Sequence, residues 1–119
     1  MQLSIFRSSL LDIIVIYRSQ RGNNIDLNKH IEMMDTEERP LLVIGDFNFC
    51  FLTSGNNETK QFLARKHFTQ MIDEPTHIEG HLLDQAYLKD ENDTLQCTIE
   101  LQSKYYTDHK GLAININKD

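Results

Sequence analysis

"PLLVIGDFNFC" (residues 40–50) runs Leu41, Leu42, Val43 and Ile44 together behind a proline and then sets Asp46 and Asn48 at the end of the run. Residues 41–48, set off by Pro40, read as a buried strand, the clearest in the chain. Its two-residue period puts Leu42, Ile44, Asp46 and Asn48 on one face and Val43, Gly45, Phe47 and Phe49 on the other. A carboxylate and an amide therefore project the same way from a stiff support, as either a turn signal or half of an active site.

Upstream, "LLDIIVIYRS" (residues 10–19) is rich in β-branched residues and reads as a second buried strand ending near Tyr17. Gly22, Asn23 and Asn24 break that pattern, and Leu27, Ile31 and Met34 recur at helical spacing, so a helix over 25–35 with Asn24 as its cap is expected. Downstream, residues 53–57 read as a polar loop and 58–66 as a short helix burying Phe62 and Leu63. Beyond Pro75 the order is strand (81–88), acidic turn (90–93), strand (95–101), loop, strand (111–117). In the last of these Leu112, Ile114 and Ile116 alternate with Ala113, Asn115 and Asn117, the pattern of a half-buried strand. Strands alternating with helices and followed by a hairpin imply a mixed α/β sheet.

With 119 residues, 39% of them hydrophobic and 25% charged, the chain has the composition of one globular domain. Its net charge of -6 supplies no global field to attract nucleic acid, so a phosphate substrate would be held locally with the help of a metal cation. Cys50 and Cys97 have neither zinc spacing nor a secretory context and are expected to be free, buried thiols. The apolar run over 10–17 is too short to span a membrane, and Arg18 and Arg21 stand where a signal peptide has small residues, so an intracellular protein, nuclear or cytoplasmic, is expected. The sequons at Asn57 and Asn92 read as chance matches in loops.

Three acids resist a bland reading: Asp46 in "LLVIGDFN", Asp84 in "HLLDQAYL" and Asp108 in "YYTDHKGLAI". Asp is poor in strands and costly to bury unpaired, so carboxylates at several strand ends point to a cation or a shared proton. "DENDT" (residues 90–94) reads as a solvated turn, because Leu95 stands where a calcium loop needs glycine. His77 and His81 read as loop histidines, and His30 and His67 as helical ones without a functional signal.

"GDFN", "LLDQAYL" and "YYTDHKGLAI", in that order, resemble the second half of the endonuclease/exonuclease/phosphatase superfamily. "FTQMIDEPTHIEGHLLDQAYL" (residues 68–88) is further similar to the nuclease domains of mobile genetic elements, retrotransposon and Helitron-type proteins among them. The resemblance implies an α/β (α+β) fold, part of a four-layer α/β/β/α sandwich of the DNase I-like type, over a single, N-terminally truncated domain at 1–119. It also implies Mg²⁺-dependent cleavage of phosphodiesters, with Mn²⁺ as the alternative metal and DNA as the partner. Asp46 would activate water, and Asn48 would contact the scissile phosphate and help to position Asp46. His109 would stabilise the transition state with Asp84 holding its imidazole, Asp108 would belong to the metal site, and Tyr17 and Thr76 would approach the substrate.

The superfamily carries an asparagine and a metal-binding glutamate in its first strands, upstream of the block that begins here near residue 10. Glu32, Glu37 and Glu38 lie in the wrong segment to replace that glutamate. The missing strands are expected to leave a sheet face uncovered, to be closed by an N-terminal segment or a homodimer. Two other readings stay open: a catalytically inactive remnant serving as a binding or assembly module, and a phosphatase or phosphodiesterase acting on a small phosphoester.

Overall fold

The computed structural model describes residues 2–17, 24–36, 38–47, 57–72, 84–102 and 111–118. Two strands stand where the apolar runs predict them, β2 (Asp12–Tyr17) and β3 (Leu41–Asp46), parallel and joined through helix α1 (Asn24–Met34). The helix takes Asn24 in as its first residue instead of leaving it as the cap. Helix α2 (Glu58–Arg65) is capped by Asn57, whose side-chain oxygen accepts from the Thr59 and Lys60 amides at 2.9 and 3.2 Å.

Two further strands were not predicted. Strand β1 (Gln2–Arg7) pairs antiparallel with β2 from Gln2 opposite Tyr17 to Arg7 opposite Asp12. Strand β4 (Thr69–Gln70) pairs with β5 (Asp84–Lys89), which itself runs antiparallel to β3. The result is a mixed five-stranded sheet in the order β1-β2-β3-β5-β4. The acidic turn after β5 does not close a hairpin with the next strand. It carries the chain into a second sheet, in which β6 (Leu95–Gln102) pairs antiparallel with β7 (Gly111–Lys118). Asp90 holds that turn, accepting from the Thr94 hydroxyl at 3.0 Å and the Leu95 amide at 2.9 Å, so its oxygens serve the turn.

Each face of the large sheet has its own core. Ile14, Ile16, Leu41, Val43 and Tyr87 project to the helix side and pack with Leu27, Ile31, Phe62 and Leu63. Leu42, Ile44 and Ala86 project the other way and meet Leu95, Ile99, Ile114 and Ile116 of the second sheet. Helices, large sheet and small sheet thus form three layers, and the fold is α+β. The outer face of the small sheet is polar, with Gln96, Thr98, Glu100, Asn115 and Asn117 exposed. Cys97 is free and half-buried, less enclosed than expected, because it lies in a strand of this thin outer layer; Cys50 lies outside the described residues.

Two buried charges occupy one end of the large sheet, and both are answered by the α1–β3 connection. Arg39 Nε stands 3.3 Å from the carboxylate of Asp12, and its guanidinium also donates to the Ser8 carbonyl. Lys89 Nζ donates to Asp35 Oδ2 at 2.5 Å, with the two side chains only 5% and 7% exposed. Breaking such a buried pair strands a charge in a medium that solvates it poorly.

Candidate active site

At the opposite end of the same sheet, register brings three of the sequence-predicted residues together. Tyr17 at the end of β2 is the in-register neighbour of Asp46 at the end of β3. Asp46 in turn stands opposite Asp84, the first residue of β5. In-register neighbours share a face, so Tyr17, Asp46 and Asp84 form one row across three strands. That row continues the side carrying Leu42, Ile44 and Ala86, the face turned toward the small sheet. Asp46 and Asp84 are half-buried and Tyr17 is 57% exposed.

Opposed carboxylates are an unusual use of a strand pair. Residues directly opposite on antiparallel strands have Cβ atoms roughly 4.5–5.5 Å apart, and like charges there repel. Such a pair persists when a proton, donors or a cation offset the repulsion, and neither Asp46 nor Asp84 is without a partner.

Local sequence explains how Asp46 is aimed. Gly45 has φ +143°, a conformation that side-chain-bearing residues rarely adopt. A Cβ there would lie 2.0 Å from the Ile16 carbonyl oxygen, so only glycine lets β2 and β3 approach just before Asp46. On the other side, Phe47 is fully buried in the helix-side core and meets Tyr87 edge-on, with ring centroids 5.1 Å apart at 66°. A glycine without bulk and an anchored phenylalanine therefore bracket the carboxylate.

Behind the row lies a polar pair absent from the sequence reading. Gln85, the register partner of Gly45, is completely buried, and its Oε1 accepts from the Tyr87 hydroxyl. Burial pushes the Tyr87 hydroxyl's pKa well above the ordinary tyrosine value, so it stays a donor throughout the neutral range. The only signal for this pair was the alternation of "DQAY", which sets Gln85 and Tyr87 on the face opposite Asp84.

Asn48, Thr76, Asp108 and His109, the other predicted site residues, lie outside the described residues, as do His77 and His81. His30 is exposed on α1, while His67 lies in the turn after α2, exposed and 4.0 Å from the carboxylate of Glu91. Among the described residues, no three His, Cys, Asp or Glu side chains gather as a metal-ion ligand set, and no helix is long and apolar enough to cross a membrane.

No protein-family model matches the chain, and no curated protein matches it significantly. Solved structures do. The chain is similar to the cytolethal distending toxin of Actinobacillus actinomycetemcomitans, with a TM-score of 0.69 at 19% identity over 94% of this chain and 51% of that one. The Haemophilus ducreyi toxin follows with a TM-score of 0.67 at 18% identity, over 98% and 52%. For CdtB, the biologically active subunit of cytolethal distending toxin, the TM-score is 0.59 at 15% identity, over 94% and 50%. The chain spans about half the length of the toxin chains it matches. At these identities the likeness is one of fold, and that fold is DNase I-like.

Proposed function

We propose that this chain is a phosphodiesterase-type domain that nicks DNA. The observation carrying the reading is the in-register row of Tyr17, Asp46 and Asp84 at one end of a DNase I-like sheet. In this reading Asp46 takes a proton from water as its oxygen attacks phosphorus, and the P–O bond to the leaving oxygen breaks. Tyr17, exposed beside Asp46, contacts the phosphate. Asn48, Thr76 and His109 keep the roles the family resemblance implies: Asn48 and Thr76 on the phosphate and His109 on the charge that develops there.

Mg²⁺, or Mn²⁺ in its place, belongs to the same proposal. Asp46 as the base and Asp84 as the partner of His109 add negative charge beside the phosphate, which a Mg²⁺ ion, commonly held by one or two carboxylates plus waters, would offset. Asp108 is the ligand the resemblance implies. When bound, the cation would offset the opposed carboxylates and the charge on phosphorus. The mobile-element setting rests on the stretch at 68–88 alone.

Supercoiled-plasmid nicking with Mg²⁺, beside EDTA and Asp46→Ala controls, tests the reading. Nicking that requires both metal and Asp46 supports it, and Asp46→Ala is expected to lower the rate roughly 10²–10⁴-fold. A second reading, a binding or assembly module, is favoured by the exposed Phe6 and Val15 on the sheet face beside the row. A folded chain that leaves plasmid intact and associates with another protein chain through that face supports this second reading. Preferential turnover of a small phosphomonoester moves the same chemistry to another substrate.

A further inference from the structure

The row of candidate residues is precise in register, yet the backbone beneath it is not an ordinary strand. Gly45 adopts a conformation that side-chain-bearing residues rarely take, and because glycine itself ranges widely over φ and ψ, its neighbours must fix it there. The groups able to do so lie on the reverse face of the sheet. Gln85 is the register partner of Gly45 itself. Tyr87, two residues along β5 and on the same face, donates its hydroxyl to Gln85. The Tyr87 ring closes edge-on against Phe47, the residue that follows Asp46. Gln85 is also the residue that follows Asp84, so the network reaches both carboxylates through one peptide unit each.

This placement is costly to maintain without a purpose. Gln85 and Tyr87 are 0% and 2% exposed, and a buried amide and phenol must find hydrogen-bond partners or lose stability. An apolar pair would fill the same volume of the helix-side core without that demand.

The geometry points to Tyr87 and Gln85 as positioning residues that hold the Gly45-Asp46-Phe47 segment, and through it the opposition of Asp46 to Asp84. The inference rests on the phosphodiesterase reading for its catalytic consequence. Its structural content, local restraint of residues 45–47, stands apart from any activity. The row faces the small sheet and the network faces the helices, so the network acts through the backbone and touches no substrate.

The test uses Tyr87→Phe, which removes only the hydroxyl, Gln85→Met, and the two combined. Ile31→Val, in the same core on α1, serves as the stability control. In plasmid nicking, Tyr87→Phe is expected to lower kcat on the order of 10- to 100-fold with KM unchanged, since small misplacements of reacting groups carry penalties of that size. In native-state hydrogen exchange, the amides of Gly45, Asp46 and Phe47 should exchange faster while those of the β1–β2 pair do not, the mark of local rather than global opening.

The double variant tests whether the two residues act as one unit. Tyr87→Phe and Gln85→Met break the same hydrogen bond, so the kcat loss of the double variant should match the larger single loss instead of multiplying. A double-variant loss equal to the product of the single losses overturns the inference, as does an equal kcat loss in Ile31→Val at matched Tm, or unchanged exchange at residues 45–47. Should Tyr87→Phe fail to fold, Gln85→Met is read by the same criteria. If the wild-type chain leaves DNA and small phosphoesters intact, the phosphodiesterase reading falls, and local exchange alone decides whether the pair restrains the segment.

Discussion

Gly45 stands between two requirements, a backbone that must pass close to Ile16 and a carboxylate that must follow it at once. A methyl at this position would meet the Ile16 carbonyl oxygen at 2.0 Å, in a backbone conformation unsuited to any side chain. Gly45→Ala is therefore expected to lose ~1–3 kcal/mol in urea denaturation, and to lower nicking more than an equally destabilising change in α1 does. Wild-type stability in that variant would show that the strand relaxes freely there. Tyr87 gives a prediction with a definite sign. Burial raises its pKa, so above pH about 10 the unfolded chain releases a proton that the folded chain keeps. The unfolded state then binds fewer protons, and stability falls as pH rises through that range. Denaturation at pH 8 and pH 11 should show the fall in wild type and a smaller one in Tyr87→Phe. At this scale Asp46 and Asp84 stood out as acids at the edge of, or inside, apolar runs, whereas Tyr17 was singled out only by the family resemblance. Gln85 did not stand out, since a glutamine reads as surface until a hydroxyl is known to meet it.

At the scale of elements, the connection between α1 and β3 locks the sheet from one end. Asp35 is expected to matter more than its place in a loop implies: Asp35→Ala removes the closest carboxylate from the buried Lys89 ammonium, leaving Glu91 at 3.8 Å, and should cost about 1–3 kcal/mol, read as a lower urea midpoint. Asn57→Ala should cost about 1 kcal/mol by freeing two amides at the start of α2. Helices α1 and α2 and strands β2, β3, β5, β6 and β7 were legible because their periodicity is local. Strand β1 was not. Phe6 interrupts its alternation, and neither Ile5 nor Phe6 is buried, so no apolar face marks it. Strand β4 has two residues and owes its existence to pairing with β5. The acidic turn was read correctly as a turn, but a turn residue such as Asp90 carries no information on whether the next strand returns to the same sheet.

Across the whole molecule, the small sheet covers only part of the large one. Phe6, Val15 and Tyr17 lie on the face turned toward the small sheet, yet are 55%, 38% and 57% exposed. Apolar sheet surface left open in this way drives association. The isolated chain is expected to self-associate in analytical ultracentrifugation, and Val15→Lys with Phe6→Glu should shift it toward monomer without lowering its melting temperature. A wild-type chain that stays monomeric at high concentration counts against that expectation. Local patterning in the chain was enough to assign most elements, the alternation of β3 and the residue types at strand ends, because each depends on neighbours a few positions away. Folding alone settled the register that sets Tyr17, Asp46 and Asp84 in one row, the switch of sheets after β5, and the Tyr87–Gln85 bond beneath the row. Those depend on which distant strands lie side by side, and pairing energy between strands is shared among many registers until packing of both faces selects one.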